Sequence, residues 1–327
     1  MEPVVRGSVR TIFGEGPLWD HEKGCLYMVD LAEKKVLEYH PTTEETISYQ
    51  LPELVTSLIK YSKEELIVLM KDGFYLLHLQ NGTLHPIVKP EGLNERLLLN
   101  DAKCDPQGRI WTGSVDDHFK EFKESANALT MKFTDQKGFI YRVDKTLAVH
   151  QVKDKVIVSN GLDFDPERNL MYHVDSATQA IVQFDIDPKT GEISNEETVY
   201  EFEEIDGFPD GMTIDREGML WVALFKPGPL ADVTPKHGII AKIDPFQKKW
   251  IDSIVVPTSH VTSCVFGGED LKTLFITTAL EPIAESKRSQ QPNAGCLFSV
   301  ELEIGGYQAN PFLGNIDEKI RSASVSF

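Results

Sequence analysis

The sequence predicts an all-β fold, a six-bladed β-propeller with four-stranded blades around a central metal channel. Three observations predict it: one aromatic-bearing strand recurs, the turns before it recur in register, and an oxygen-bearing residue recurs at a fixed distance from each turn.

The recurring strand appears as CLYMVD, RIWTGSVD, LMYHVD, MLWVAL and TLFITTA, each after a turn rich in Asp, Pro, Gly or Glu. Each run belongs to a longer unit. In the first copy the four strands are GPLWD, CLYMVD, KVLEYHP and TISYQL. The turn residues Asp20, Ser62, Asp105, Asp165, Asp215 and Gly268 fall 42, 43, 60, 50 and 53 residues apart. Six units of about 50 residues fill the chain, so residues 1–327 are expected to form one propeller domain. No long 3.6-residue apolar period survives without a turn, which leaves little room for helices. A pair of β-sandwiches would also show many short strands, but sandwiches seldom repeat one register six times. Tyr27, Trp111, Tyr172, Trp221 and Phe275 are expected to pack between blades and not to form a ligand cage.

Counting back five residues from each turn gives Glu15, Ser57, Asn100, Asn160, Asp210 and Ser263, and every one carries a side-chain oxygen. The first strand of a blade is innermost, so these residues should ring the channel at one rim. Ser, Asn and Asp also favour turns and strand starts for backbone reasons, and Ser57 and Ser263 need be no more than that. Glu15, Asn160 and Asp210 ask for more. Two carboxylates converging on a narrow channel repel strongly unless a cation or a proton sits between them. Oxygen donors without His or Cys suit calcium first, then magnesium or manganese; zinc stays open because carboxylates also ligate it. Three protein ligands leave coordination positions for water and substrate, as a catalytic metal needs.

The links between second and third strands should lie on the same rim. Three are long: Asp116 to Lys137, Lys226 to His237, and Glu281 to Ala294. Long loops on one face of a rigid scaffold serve recognition more often than stability, so they read as a lid.

Composition bounds the partners. A net charge of -18, spread without an acidic tail, disfavours nucleic acid and anionic lipid. The first residues have no apolar stretch of the secretory kind and no segment approaches a membrane span, so a soluble cytoplasmic protein is expected. Cys25, Cys104, Cys264 and Cys296 lie far apart and read as buried thiols. No heptad or exposed amphipathic helix suggests an oligomer, so the expected state is a monomer. No GxSxG elbow occurs, and His40, His78, His85 and His150 have no catalytic motif around them.

The motifs GEGPLWD, NDAKCDPQGRIWTGS, SNGLDFDP, FPDGMTIDREGMLWVALF and VTSCVFGGEDLKTLFITTA closely resemble the family of regucalcin (senescence marker protein), gluconolactonase and luciferin-regenerating enzyme. The match spans nearly the whole chain, and its wording looks most like the animal branch. The resemblance implies a six-bladed propeller with a divalent metal held by Glu15, Asn160 and Asp210, with Asp210 as general base. It makes Asn100 a substrate contact and implies hydrolysis of sugar lactones or other esters.

The chain departs from the family where substrate is gripped. Leu98 stands where relatives carry an arginine; Arg96, two residues earlier and on the same side of an extended segment, is the candidate replacement. A glutamate that contacts sugar hydroxyls in relatives aligns near His118. Both changes point towards a less polar substrate. The expected function is metal-dependent hydrolysis of a small lactone or ester. Two other readings stand beside it: a calcium-binding regulatory protein with weak or no catalysis, motivated by the missing arginine, and an interaction scaffold using the long loops.

Overall fold

The computed structural model describes residues 2–93, 97–116, 138–203, 206–225, 237–281, 283 and 285–316. Their strands form six four-stranded sheets. Each sheet is antiparallel, and together they make a six-bladed β-propeller. Blade 1 consists of Gly14–Asp20, Cys25–Asp30, Lys35–His40 and Glu45–Gln50. Blades 2 to 5 repeat that order from Val55–Lys60, Leu97–Cys104, Ser159–Asp165 and Phe208–Ile214. Blade 6 is composite. Val261–Gly267, Thr273–Thr278 and Cys296–Glu301 are its inner three strands, and Val4–Arg10 supplies the fourth. Counting repeats does not anticipate this closure, because Val4–Arg10 precedes the first turn of the series.

The register of the sequence has a local cause. Asp20, Asp105, Asp165 and Asp215 each accept backbone N–H bonds from residues two to four positions on, which folds the turn between first and second strands. In two blades the same carboxylate reaches the aromatic of the second strand: Trp111 Nε1 donates to Asp105 at 2.9 Å, and Trp221 Nε1 to Asp215 at 2.9 Å. Turn and aromatic therefore travel together along the chain.

Six apolar clusters fill the spaces between neighbouring blades. Tyr27 lies in the one between blades 1 and 2, Trp111 between 3 and 4, Tyr172 between 4 and 5, and Trp221 between 5 and 6. Trp19 stacks on Phe275 at 5.4 Å between blades 6 and 1, so the ring is packed all the way round. The five aromatics named from the sequence are all buried there. The cysteines are free thiols; Cys25, Cys104 and Cys264 are buried and Cys296 is partly so. Among the described residues no helix is long and apolar enough to cross a membrane.

Every innermost strand carries a bulge against its second strand, between Glu15 and Leu18, Val55 and Ser57, Leu99 and Ala102, Ser159 and Leu162, Pro209 and Met212, and Val261 and Ser263. A bulge adds one residue to the strand and turns side chains out of simple alternation. It recurs where the sequence places its ring of oxygens, and it lets two consecutive residues approach the axis.

Candidate active site

The bulged strands divide the channel into two cavities. The one at the rim where the innermost strands begin encloses about 150 Å³, and Glu15, Asn100, Asn160 and Asp210 all line it. The cavity on the far side holds about 370 Å³, and Ser57 and Ser263 face it together with Asp101. The six positions found by counting are therefore split four to two. Ser57 is spent on the neighbouring blade, its Oγ accepting from Ala102 N at 3.1 Å. In blade 2 the residue at the first cavity is Thr56.

The residue after the ring position explains the EG, NG and DG steps of the sequence. Gly161 lies so close to blade 5 that a Cβ would sit 2.6 Å from both Asp210 O and Met212 N. A Cβ on Gly211 would sit 2.0 Å from Ser263 Oγ. Glycine there lets adjacent innermost strands approach and brings their preceding side chains together. Blade 3 has Asp101 at this position instead.

Hydrogen bonds fix the amides. Asn100 Nδ2 donates to Ser159 O at 2.7 Å and to Asn160 Oδ1 at 3.3 Å. Asn160 Nδ2 donates to Ser176 Oγ at 3.0 Å, and that hydroxyl donates on to Pro209 O at 2.6 Å. Blades 3, 4 and 5 are thus linked beneath the cavity.

The carboxylates are electrostatically strained. Glu15 is buried, and its affinity for a proton rises well above the usual range because of burial first, then the charges of Asp210 and Asp101. Burial raises Asp210 in the same way, with Asp101 adding to it; the Asn160 side chain and the Gly211 N–H oppose the shift. Asp101 is pushed up to about 6 by burial, against the opposing effect of Lys103. The two rim carboxylates, Glu15 and Asp210, next to the amide carbonyls of Asn100 and Asn160 form a donor set suited to a hard cation. Among the described residues no group of three or more His, Cys, Asp and Glu is arranged as a metal site; the set here relies on two carboxylates and an amide.

Arg96 and His118 lie outside the described residues, as do 117–137 and 226–236 of the loops expected to form a lid. The third loop is described in part: Glu281 lines the rim cavity, and Glu285–Arg288 forms a short helix beyond it. Asp101, Thr56 and Glu281 are the site residues that counting missed.

Fold and site define a six-bladed propeller with carboxylates and amides gathered on its axis. The chain belongs to the SMP-30/gluconolactonase/LRE-like family, whose model matches residues 13–280. It is 47% identical to YvrE of Bacillus subtilis, named provisionally as a sugar lactone lactonase, over 97% of this chain and 100% of that one. It is 30% identical to regucalcin of Bos taurus over 92% of this chain and 95% of the other. A solved structure of luciferin-regenerating enzyme superposes with a TM-score of 0.80 at 29% identity, covering 94% of this chain and 99% of that one. The higher identity to a bacterial relative removes the force of the animal-like wording.

Proposed function

We propose that this protein is a metal-dependent hydrolase of a small lactone or ester, with Asp210 as general base. The observation that carries it is the convergence of buried Glu15 and Asp210 with Asn100 and Asn160 on one cavity. Family membership and the name of the Bacillus subtilis relative support the same chemistry.

Glu15, Asn160 and Asp210 would hold one divalent cation, calcium by the all-oxygen donor set. When bound, such an ion supplies a Lewis acid for the carbonyl oxygen and relieves the repulsion between the carboxylates. Asn100 borders the same cavity and orients the substrate. The apolar cavity mouth excludes bulk water around the ester. Asp210 accepts a proton from the attacking water as its oxygen bonds to the carbonyl carbon, and the proton passes to the departing alkoxide when the C–O bond breaks. Water is added across the bond, and a lactone opens to its hydroxy acid.

The test is a panel of lactones and chromogenic esters after chelation, with calcium, manganese, magnesium or zinc restored. Activity should return with metal, and Asp210→Asn should lower kcat by roughly 10²–10⁴-fold. Undiminished turnover in that variant would remove Asp210 from the mechanism. Leu98, in the place of the family's arginine, favours a second reading: a calcium-binding regulatory protein with little catalysis. Calorimetric calcium binding without turnover of any substrate would support that reading.

A further inference from the structure

Resting on the hydrolase reading, we propose that the substrate is an aliphatic lactone or ester carrying an alkyl chain, seated between two apolar walls above the carboxylates, and not a polyhydroxylated sugar lactone.

Eight of the fourteen described residues around the rim cavity are apolar. They come mainly from two small clusters separate from the six between the blades. One gathers Val115, Ile157 and Val158 with Leu98, above Asn100 and Asn160. The other gathers Phe13, Phe225 and Ala279 with Leu31, above Glu15, and its two phenyl rings stack at 6.0 Å. Backbone bridges across blade boundaries hold both: Val115 with Val158, Phe13 with Ala279, and Phe225 with His260. The walls are parts of rigid strand ends.

The cavity's amide and hydroxyl donors are already committed within the protein, which leaves the carboxylates of Glu15, Asp210 and Glu281, on the side away from the apolar walls, as its acceptors for a hydroxyl. Asn100 and Asn160 donate to protein oxygens, and Thr56 Oγ1 donates to Leu69 O at 3.4 Å. Sugar hydroxyls placed against Leu98, Val115 and Val158 would lose their water without replacement, which disfavours them. An alkyl group gains there. A cavity of about 150 Å³ with aliphatic walls holds a group of about six carbons, the size of benzene. Ligand sites generally combine such walls with a few convergent polar groups.

The experiment compares δ-valerolactone, its 5-alkyl homologues and glucono-δ-lactone, which share one ring, on calcium-loaded enzyme. kcat/KM should rise roughly three- to fourfold per methylene, up to about six carbons, and gluconolactone should be the poorest substrate. Leu98→Ser and Val158→Ser should flatten the series, lowering the ratio of long-chain to short-chain kcat/KM at least tenfold. The wild-type series decides the matter even where a variant fails to fold. A flat wild-type series, or gluconolactone turned over best, overturns the assignment while leaving a hydrolase. If no lactone or ester is hydrolysed, the hydrolase reading falls, and calorimetry still judges the walls: tighter binding with each methylene keeps them, binding of gluconolactone alone does not.

Discussion

The two ends of the channel are built by the same six bulged strands, yet they treat charge in opposite ways. On the far side, Asp101 apart, the carboxylates have cationic partners. Lys103 Nζ meets Asp163 Oδ2 at 2.5 Å and Met212 O at 3.0 Å, and Asp163 also accepts from Thr213 Oγ1 and Ile214 N. Lys60 meets Asp20 at 2.5 Å. At the rim, Glu15 and Asp210 face one another's charge with Asp101 behind them, and each binds its proton unusually tightly. A matched pair needs nothing from outside the protein. Carboxylates brought together without a cationic partner cost the fold stability, and under the proposed function that cost is what a bound cation would offset.

Three measurements sharpen or break this contrast, with stability read on chelator-treated protein and calcium restored where stated. The largest effect belongs to the far side. Lys103→Met leaves Asp163 short of its strongest donor and should cost roughly 1.5–3 kcal/mol in denaturant unfolding; a neutral result would mean that the matched end is not stabilising. The next has the opposite sign: Glu15→Gln relieves repulsion and should raise stability by about 1 kcal/mol, while abolishing metal-linked activity. A loss of stability there would place Glu15 among ordinary structural residues.

The smallest effect is in pH. Asp101 binds its proton more tightly folded, at about 6, than as a free aspartate near 3.8. Between those values the unfolded chain has released a proton that the folded chain keeps, so the contribution is full below about 4 and lost as pH rises through about 6. Burial raises Glu15 and Asp210 in the same direction, so they add to the decline. Unfolding free energies should therefore fall as pH rises from about 4 through about 6 without calcium and flatten with it. Identical slopes with and without calcium would contradict the carboxylate account.

Much of this was legible in the chain. Blade number follows from the six turns in register, four of them marked by an Asp whose carboxylate accepts from the turn's backbone. The carboxylates and amides that line the rim cavity follow from the fixed distance between turn and bulge. What escaped did so for physical reasons. Strand alternation assigns Asn100 and Asp101 to opposite faces, whereas the bulge lets both approach the axis. Ser57 and Ser263 share the spacing of the ring but face the other cavity. The apolar walls come from strand ends of different blades, adjacent only once the ring is closed.

That closure has a cost in time. Arg6 Nε donates to Ser299 Oγ across 293 positions of sequence. During synthesis Val4–Arg10 must wait, with both edges unpaired, until Cys296–Glu301 has emerged. Val4 and Val5 remain substantially exposed even when docked, and an orphaned edge strand of this kind is a template for pairing with another chain. The latch that completes the wheel is therefore also the point at which two nascent copies would most readily exchange arms.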